Sequence, residues 1–152
     1  RPFIVEGAQA ALSTGAGRFI VHDPGDVPGE VTVLDRTVEV QPHQGPARVV
    51  QGPGKAVFDR TAVAEPTALR GDASLWSRGL LLAIDQPLAE VLAELARYRP
   101  GLLRWDPAVA PLRVSGSLTL SDTDAGLRLL ARTLPIRIVH RTRYWVTVLP
   151  LS

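Results

Sequence analysis

The segment that decides the fold reads IDQPLAEVLAELARYRPG and spans Ile84–Gly101. It predicts one amphipathic helix, because its apolar residues recur at the i, i+3, i+4 and i+7 spacing of a single helix face. Asp85 or Gln86 is expected to cap the start of this helix, with Pro87 in its first turn. Pro100 and Gly101 are expected to end it. The apolar runs LLLAI before it and LLRW after it predict strands.

The same order of elements occurs a second time. The strand-like run RVSGSLTL is followed by Ser121 and Asp124, whose spacing predicts a capping box, and then by a second helix. Pro135 ends that helix, and the runs IRIVH and YWVTVL predict two more strands. Each helix can bury its apolar stripe only against a sheet, so both should share one core. The predicted core residues are Trp76, Leu88, Val91, Leu92, Leu95, Leu127, Leu130 and Leu134.

The first half of the chain has the pattern of a small β structure. Short alternating runs rich in β-branched residues (RFIVHD, EVTVL, TVEVQ, ARVVQ and KAVFD) are separated by Gly- and Pro-containing turns. The predicted class is therefore α+β: a small all-β half followed by a doubled β-α-β domain with two helices on one side of a small sheet. We expect a β-rich domain over 1–60 that is truncated at its start, a linker over 61–74 and the β-α-β domain over 75–152.

Composition argues against catalysis. The chain has 152 residues, no cysteine and a formal net charge of +2, and acids lie close to most of its arginines. Three histidines, His22, His43 and His140, are scattered without the spacing of a metal site. No apolar run reaches the ~20 residues of a membrane helix. We expect no enzymatic activity, no metal, no cofactor and no nucleic-acid partner.

The run from Trp76 to Ile138 resembles the periplasmic C-terminal region of the FecR family, the membrane-spanning anti-sigma regulators of TonB-dependent iron uptake. The features that match, in order, are W-x-x-G, D-x-P-L before an E-V-L-x-E-L-x-R-Y helix, V-S-G, a D-x-D helix start and T-L-P. The doubled β-α-β pattern is also similar to the short N-terminal domain of secretins and TonB-dependent receptors.

Upstream, the runs TGAGRFIV and EVTVLDRTVEV resemble the β-rich FecR domain. Two positions depart from the family pattern. Asp35 and Arg36 stand where the family has an acid–glycine pair, and Gly17 precedes Arg18 where the family has a threonine.

The resemblance implies a periplasmic signal-receiving module. Such a module binds the signalling domain of a TonB-dependent outer-membrane siderophore receptor, and it relays the iron-uptake signal to an extracytoplasmic-function sigma factor. The sigma factor would be reached only through a cytoplasmic segment outside this sequence, and the membrane anchor is expected upstream of Arg1. The alternatives are a secretin or receptor domain with an assembly role, and a direct sensor of siderophore.

We expect partner recognition by strand addition at a sheet edge, with Leu118, Leu120, Trp145 and Leu149 as candidate apolar anchors. Alternation along the last strand puts Tyr144, Val146 and Val148 on one face and Trp145, Thr147 and Leu149 on the other. Three outcomes are open for Trp145: packing on the β-rich half, contact with the receptor domain, or simple half-exposure.

Overall fold

The computed structural model describes residues 3–68 and 79–151. In the first part it contains only strands. They are β1 (Phe3–Glu6), β2 (Ala10–Thr14), β3 (Gly17–His22), β4 (Gly29–Pro42), β5 (Arg48–Gln51), β6 (Gly54–Phe58) and β7 (Thr67–Ala68). The runs EVTVL and TVEVQ form the single long strand β4, and strands β1 and β2 were not among the predicted strands.

The second part has the predicted doubled order of strand, helix and strand, which confirms the α+β class. Its elements are β8 (Leu80–Pro87), α1 (Leu88–Ala96), β9 (Leu102–Trp105), a 3₁₀ turn (Pro107–Val109), β10 (Arg113–Thr119), α2 (Thr123–Thr133), β11 (Ile136–Thr142) and β12 (Trp145–Pro150).

The strands of this second part are divided between two sheets, which differs from the small single sheet that was predicted. Strand β8 pairs antiparallel with β10 on one edge and with β3 on the other, so these strands extend the sheet of the first part. Strands β11, β12 and β9 form a separate sheet in that order. Both helices contact β10, while α1 also contacts β8 and β9, and α2 also contacts β11.

The reason for this arrangement lies in β8, which is buried on both faces. Leu81 and Ala83 face the helices, and Leu82 belongs to the core of the β-rich part. A strand buried on both sides needs the continuous apolar run LLLAI rather than an alternating one. Ile20 of β3 correspondingly joins the core around the helices.

The predicted division into two domains remains a prediction, although β3 and β8 join the two parts within one sheet. Strand β7 lies inside the predicted linker, and residues 69–74 of that linker are outside the described residues, as is Trp76. The other predicted core residues are confirmed: Leu88, Val91, Leu92, Leu95, Leu127 and Leu130 are buried, and Leu134 is partly buried against the same core.

Both helix starts differ from the prediction. Pro87 is the N-cap of α1 and makes no side-chain cap. None is needed, because Leu88 N–H donates to the Leu112 carbonyl at 2.7 Å and Ala89 N–H to the Ala110 carbonyl at 3.2 Å. For α2 the cap is Asp122, which accepts a hydrogen bond from Ala125 N–H at 3.1 Å.

Arg36 has the left-handed backbone conformation that glycine favours, with φ +69°. It pairs with Gly17 at the end of the β3–β4 ladder, beyond the last pair of β4 with β6 at Val33 and just before its first pair with β5 at Thr37.

Candidate partner-binding surfaces

The four candidate anchors lie in two separate places. Leu118 and Leu120 of the β10 region are buried in the core around the helices. In this structure Leu120 is not available to a partner, whereas Leu118 forms part of a groove wall. Trp145 and Leu149 lie on the other sheet, so the structure does not bring the four together.

The first surface is a groove along the free edge of β10, here called the β10 groove. One edge of β10 pairs with β8, and no strand within residues 3–68 and 79–151 pairs with the other edge. Between this edge and α2 lies a cavity of about 310 Å³. Its apolar lining consists of Val114, Leu118, Leu129, Leu130 and Leu134. Leu129 is 43% exposed, so the groove opens to solvent.

A polar cluster closes one end of the β10 groove. Arg113 Nε donates to Asp85 Oδ1 at 3.0 Å, and a second guanidinium nitrogen donates to the Asp85 carbonyl at 2.7 Å. Asp85 N–H donates to Ser115 Oγ at 2.9 Å. The hydrogen bond from Arg113 and its charge lower the pKa of the Asp85 carboxyl. The unpaired backbone of β10 and the apolar wall beside it can together accept an extended segment.

The second surface is the outer face of the sheet formed by β11, β12 and β9, here called the Trp145 face. Val146 and Val148 point inward and are fully buried, as predicted, whereas Tyr144, which was predicted to share their face, precedes β12 and is exposed. Trp145 is 45% exposed and opposes Leu102, which is 48% exposed. Trp145 does not belong to the core of the β-rich part, so it is half-exposed rather than covered by that part.

The remaining neighbours on the Trp145 face follow from the strand register. Thr147 opposes Arg104 on β9 and Val139 on β11, and Leu149 opposes Arg137. Residues opposed in register share a face of the sheet. Neither arginine was among the predicted site residues. The signal was present in the sequence: from Ala125 to Leu151 there are five arginines and no acid.

A buried carboxyl lies where α1 meets the first part of the chain. Arg18 of β3 donates to Glu90 Oε2 of α1 at 2.8 Å. One turn further along α1, Glu94 is buried and its Oε1 lies 3.7 Å from Arg97 Nη1. Burial raises the pKa of the Glu94 carboxyl, and the nearby Arg97 and Arg18 oppose that rise. The cluster joins the two parts by charge as well as by strand pairing.

Among residues 3–68 and 79–151, no group of three or more His, Cys, Asp or Glu side chains is placed to hold a metal ion. No helix in those ranges combines the length and hydropathy needed to cross a membrane.

No protein-family model matches the chain, and no curated protein matches it. Among solved structures, the chain is similar to two crystal structures of a putative anti-sigma factor from Parabacteroides distasonis, at 1.65 and 2.50 Å resolution. The identity is 22% in both, the TM-scores are 0.44 and 0.45, and the alignments cover 99% and 100% of this chain and 72% of the other. At this identity and TM-score the likeness carries no argument about function.

Proposed function

We propose that this chain is the periplasmic signal-receiving module of a transmembrane anti-sigma regulator. It binds the signalling domain of a TonB-dependent outer-membrane siderophore receptor and relays the iron-uptake signal toward an extracytoplasmic-function sigma factor. The proposal is supported by the order of FecR-like motifs between Trp76 and Ile138. The protein acts by binding and carries out no chemistry of its own.

The observation that carries this proposal is the unpaired edge of β10 beside the apolar β10 groove. An added strand would form backbone hydrogen bonds with this edge, and every second side chain would enter the groove toward Leu118 and Leu129. Soluble proteins normally cover or charge such an edge, because it otherwise recruits foreign strands. An open edge with an apolar wall therefore favours a partner of this kind.

Binding at β10 would be transmitted through β8. Because β8 pairs with β10 on one edge and β3 on the other, a displacement of β10 reaches the β-rich part through hydrogen-bonded neighbours. The Arg18–Glu90 ion pair provides a second contact between that part and α1. The module thus binds its partner at β10 and transmits the resulting displacement through β8 to the β-rich part.

The test is titration calorimetry with the purified signalling domain of the receptor encoded beside this chain, with free ferric siderophore as the control ligand. We expect heat from the signalling domain alone. Leu129→Lys should weaken binding more than tenfold, because it places a charge in the groove at an already exposed position. Ala93→Lys adds the same charge on the exposed side of α1 and should change nothing.

An assembly role, as in a secretin or receptor domain, predicts a different result. The chain alone would then form oligomers through the same edge, and Leu129→Lys would dissociate them in sedimentation velocity. A monomer that binds the signalling domain excludes this alternative. A monomer that binds neither the signalling domain nor siderophore would refute the proposed function.

A further inference from the structure

The arginines of the chain differ sharply in their surroundings. Among the residues that the structure describes, four form ion pairs: Arg18 with Glu90, Arg97 with Glu94, Arg99 with Asp124 and Arg113 with Asp85. All four precede Ala125. Beyond that residue, Arg128, Arg132, Arg137 and Arg141 are exposed, and none of them forms an ion pair with an acid in the described parts of the chain.

Two of these unpaired arginines, together with Arg104 and Arg143, which also form no ion pair in the described parts of the chain, surround the Trp145 face. Arg137 and Arg104 lie on the face itself, in register with Leu149 and Thr147 of the central strand β12. Arg141 is near the end of β11, and the Arg143 guanidinium lies 5.5 Å from the Tyr144 ring centroid in the following turn. The three strands contain no acidic residue. The face is therefore apolar along its centre and positively charged on both sides.

The nearest acids in the sequence are already engaged. Asp106, which follows β9, accepts a hydrogen bond from Ala108 N–H at 2.8 Å and caps the 3₁₀ turn. Asp124, at the start of α2, accepts one from Arg99 at 2.9 Å. That hydrogen bond keeps the pKa of the Asp124 carboxyl below its ordinary value. Within residues 3–68 and 79–151, neither Arg104 nor Arg137 forms an ion pair with an acid.

We propose that the Trp145 face is a second docking surface, and that its partner is an acidic segment of another protein. Carboxylates of that segment bind Arg104 and Arg137, and its apolar side chains cover Trp145 and Leu102. Arginine can bind a carboxylate through two parallel hydrogen bonds. Tryptophan and arginine are also the side chains that most often dominate the energetics of protein interfaces.

The composition of the face selects a protein rather than a nucleic acid as this partner. Single-stranded nucleic acids bind on stacked aromatic side chains. Apart from Trp145, the apolar side chains here are aliphatic: Leu102, Val139 and Leu149. Strands β11 and β9 also have outer edges that no strand pairs with in residues 3–68 and 79–151, so an extended peptide can align with either.

The test uses a chain in which Trp145 is the only tryptophan, made by Trp76→Phe and Trp105→Phe. The probes are two short synthetic peptides, one alternating glutamate and valine and the other alternating lysine and valine. We expect the glutamate peptide alone to shift Trp145 emission to shorter wavelength. Its affinity should fall steeply as salt is raised, because exposed charges are screened by added salt.

A charge reversal provides the specific control. Arg104→Glu combined with Arg137→Glu should abolish binding of the glutamate peptide and create binding of the lysine peptide. Arg48→Glu combined with Arg60→Glu makes the same change in net charge at exposed positions of the first part, and it should leave binding intact.

Three results would overturn the proposal: undiminished binding of the glutamate peptide by the Arg104→Glu/Arg137→Glu variant, no response to either peptide, or stronger binding of a short oligothymidylate than of the glutamate peptide. The β10 groove and the Trp145 face are separate surfaces. Binding of the receptor signalling domain can therefore fail while the glutamate peptide still binds, and the glutamate peptide can fail to bind while the signalling domain still binds.

Discussion

Phe19 and Leu82 lie opposite each other in the β3–β8 pair, and both side chains are buried in the core of the β-rich part. Their neighbours Ile20 and Leu81 are also opposed, and they point the other way, into the core around the two helices. The two parts of the chain are therefore joined by a ladder of backbone hydrogen bonds, and each part contributes side chains to the core of the other. Their folding should be cooperative.

The first prediction follows from this sharing. Ile20→Ala and Leu82→Ala should each lower the free energy of unfolding by about 2–5 kcal/mol, as for buried aliphatic truncations in general. Each should lower it for the whole chain, in one urea transition that circular dichroism and tryptophan fluorescence report alike. Val57→Ala, at an exposed position of β6, is the matched control. Two separated transitions would contradict the coupling.

The second prediction concerns the apolar stripe of α1. Leu92 is fully buried, so Leu92→Asp places an unpaired carboxylate in the core and should cost several kcal/mol, on the order of 3–5. Ala93→Asp puts the same side chain on the exposed side of the same helix and should have little effect. The measurement is the melting temperature of each variant, which should fall for Leu92→Asp and stay near that of the parent chain for Ala93→Asp. Equal melting temperatures would mean that the stripe is misassigned.

The third prediction concerns Gly101, which lies in the loop directly before β9, because α1 ends at Ala96 and not at the predicted stop of Pro100 and Gly101. Gly101 has φ +87°, and a Cβ there would overlap the Tyr144 carbonyl oxygen. Gly101→Ala should therefore destabilise the chain by more than the ~1 kcal/mol that a strained left-handed residue costs. At Gly116 a Cβ would meet no atom within 4 Å, so Gly116→Ala is the control. Chemical denaturation should separate the two, and a larger loss for Gly116→Ala would refute the assignment.

The fourth prediction relieves strain in β4. Arg36 has φ +69° and is exposed, so Arg36→Gly removes an unfavourable backbone conformation without opening a cavity. After the entropic cost of glycine is subtracted, stability should rise by roughly 0.5–1 kcal/mol. Arg36→Ala removes the side chain but keeps the strain, and it should not stabilise. If both variants were more stable than the parent chain, the gain would come from loss of the Arg36 charge and not from relief of backbone strain.

The fifth prediction is a pH dependence from Glu94. Burial raises the pKa of its carboxyl above the ordinary value of 4.5, so the folded state holds this proton more tightly than the unfolded state does. The stability contributed by protonation is present below pH 4.5 and is lost as pH rises through the raised value. The free energy of unfolding of the parent chain relative to Glu94→Gln should therefore fall as pH increases. A difference that is constant or grows with pH would refute this.

Much of the fold could be predicted from local pattern. The helical stripes fixed which residues of α1 and α2 are buried, and the alternation in β12 fixed which of its residues face the helices. Local pattern does not say which strands pair, so the division into two sheets was not predicted. For the same reason, Leu118 and Leu120 were assigned to a surface: alternation shows that they share a face but not which face α2 covers. The predicted side-chain cap of α1 was also wrong. The carbonyls of Leu112 and Ala110, which are distant in sequence, accept hydrogen bonds from the first N–H groups of the helix.

The pairing of β3 with β8 has a consequence for the integrity of the chain. The β-rich part and the helical part are joined twice, once by the peptide between them and once by a noncovalent interface that buries Phe19 and Leu82. Two polypeptides prepared separately, covering 1–74 and 75–152, should thus associate into a stable heterodimer when they are mixed. Proteolytic cleavage between them would then leave a complex rather than two released fragments. Each piece could be exchanged for an isotopically labelled or altered copy without rebuilding the other.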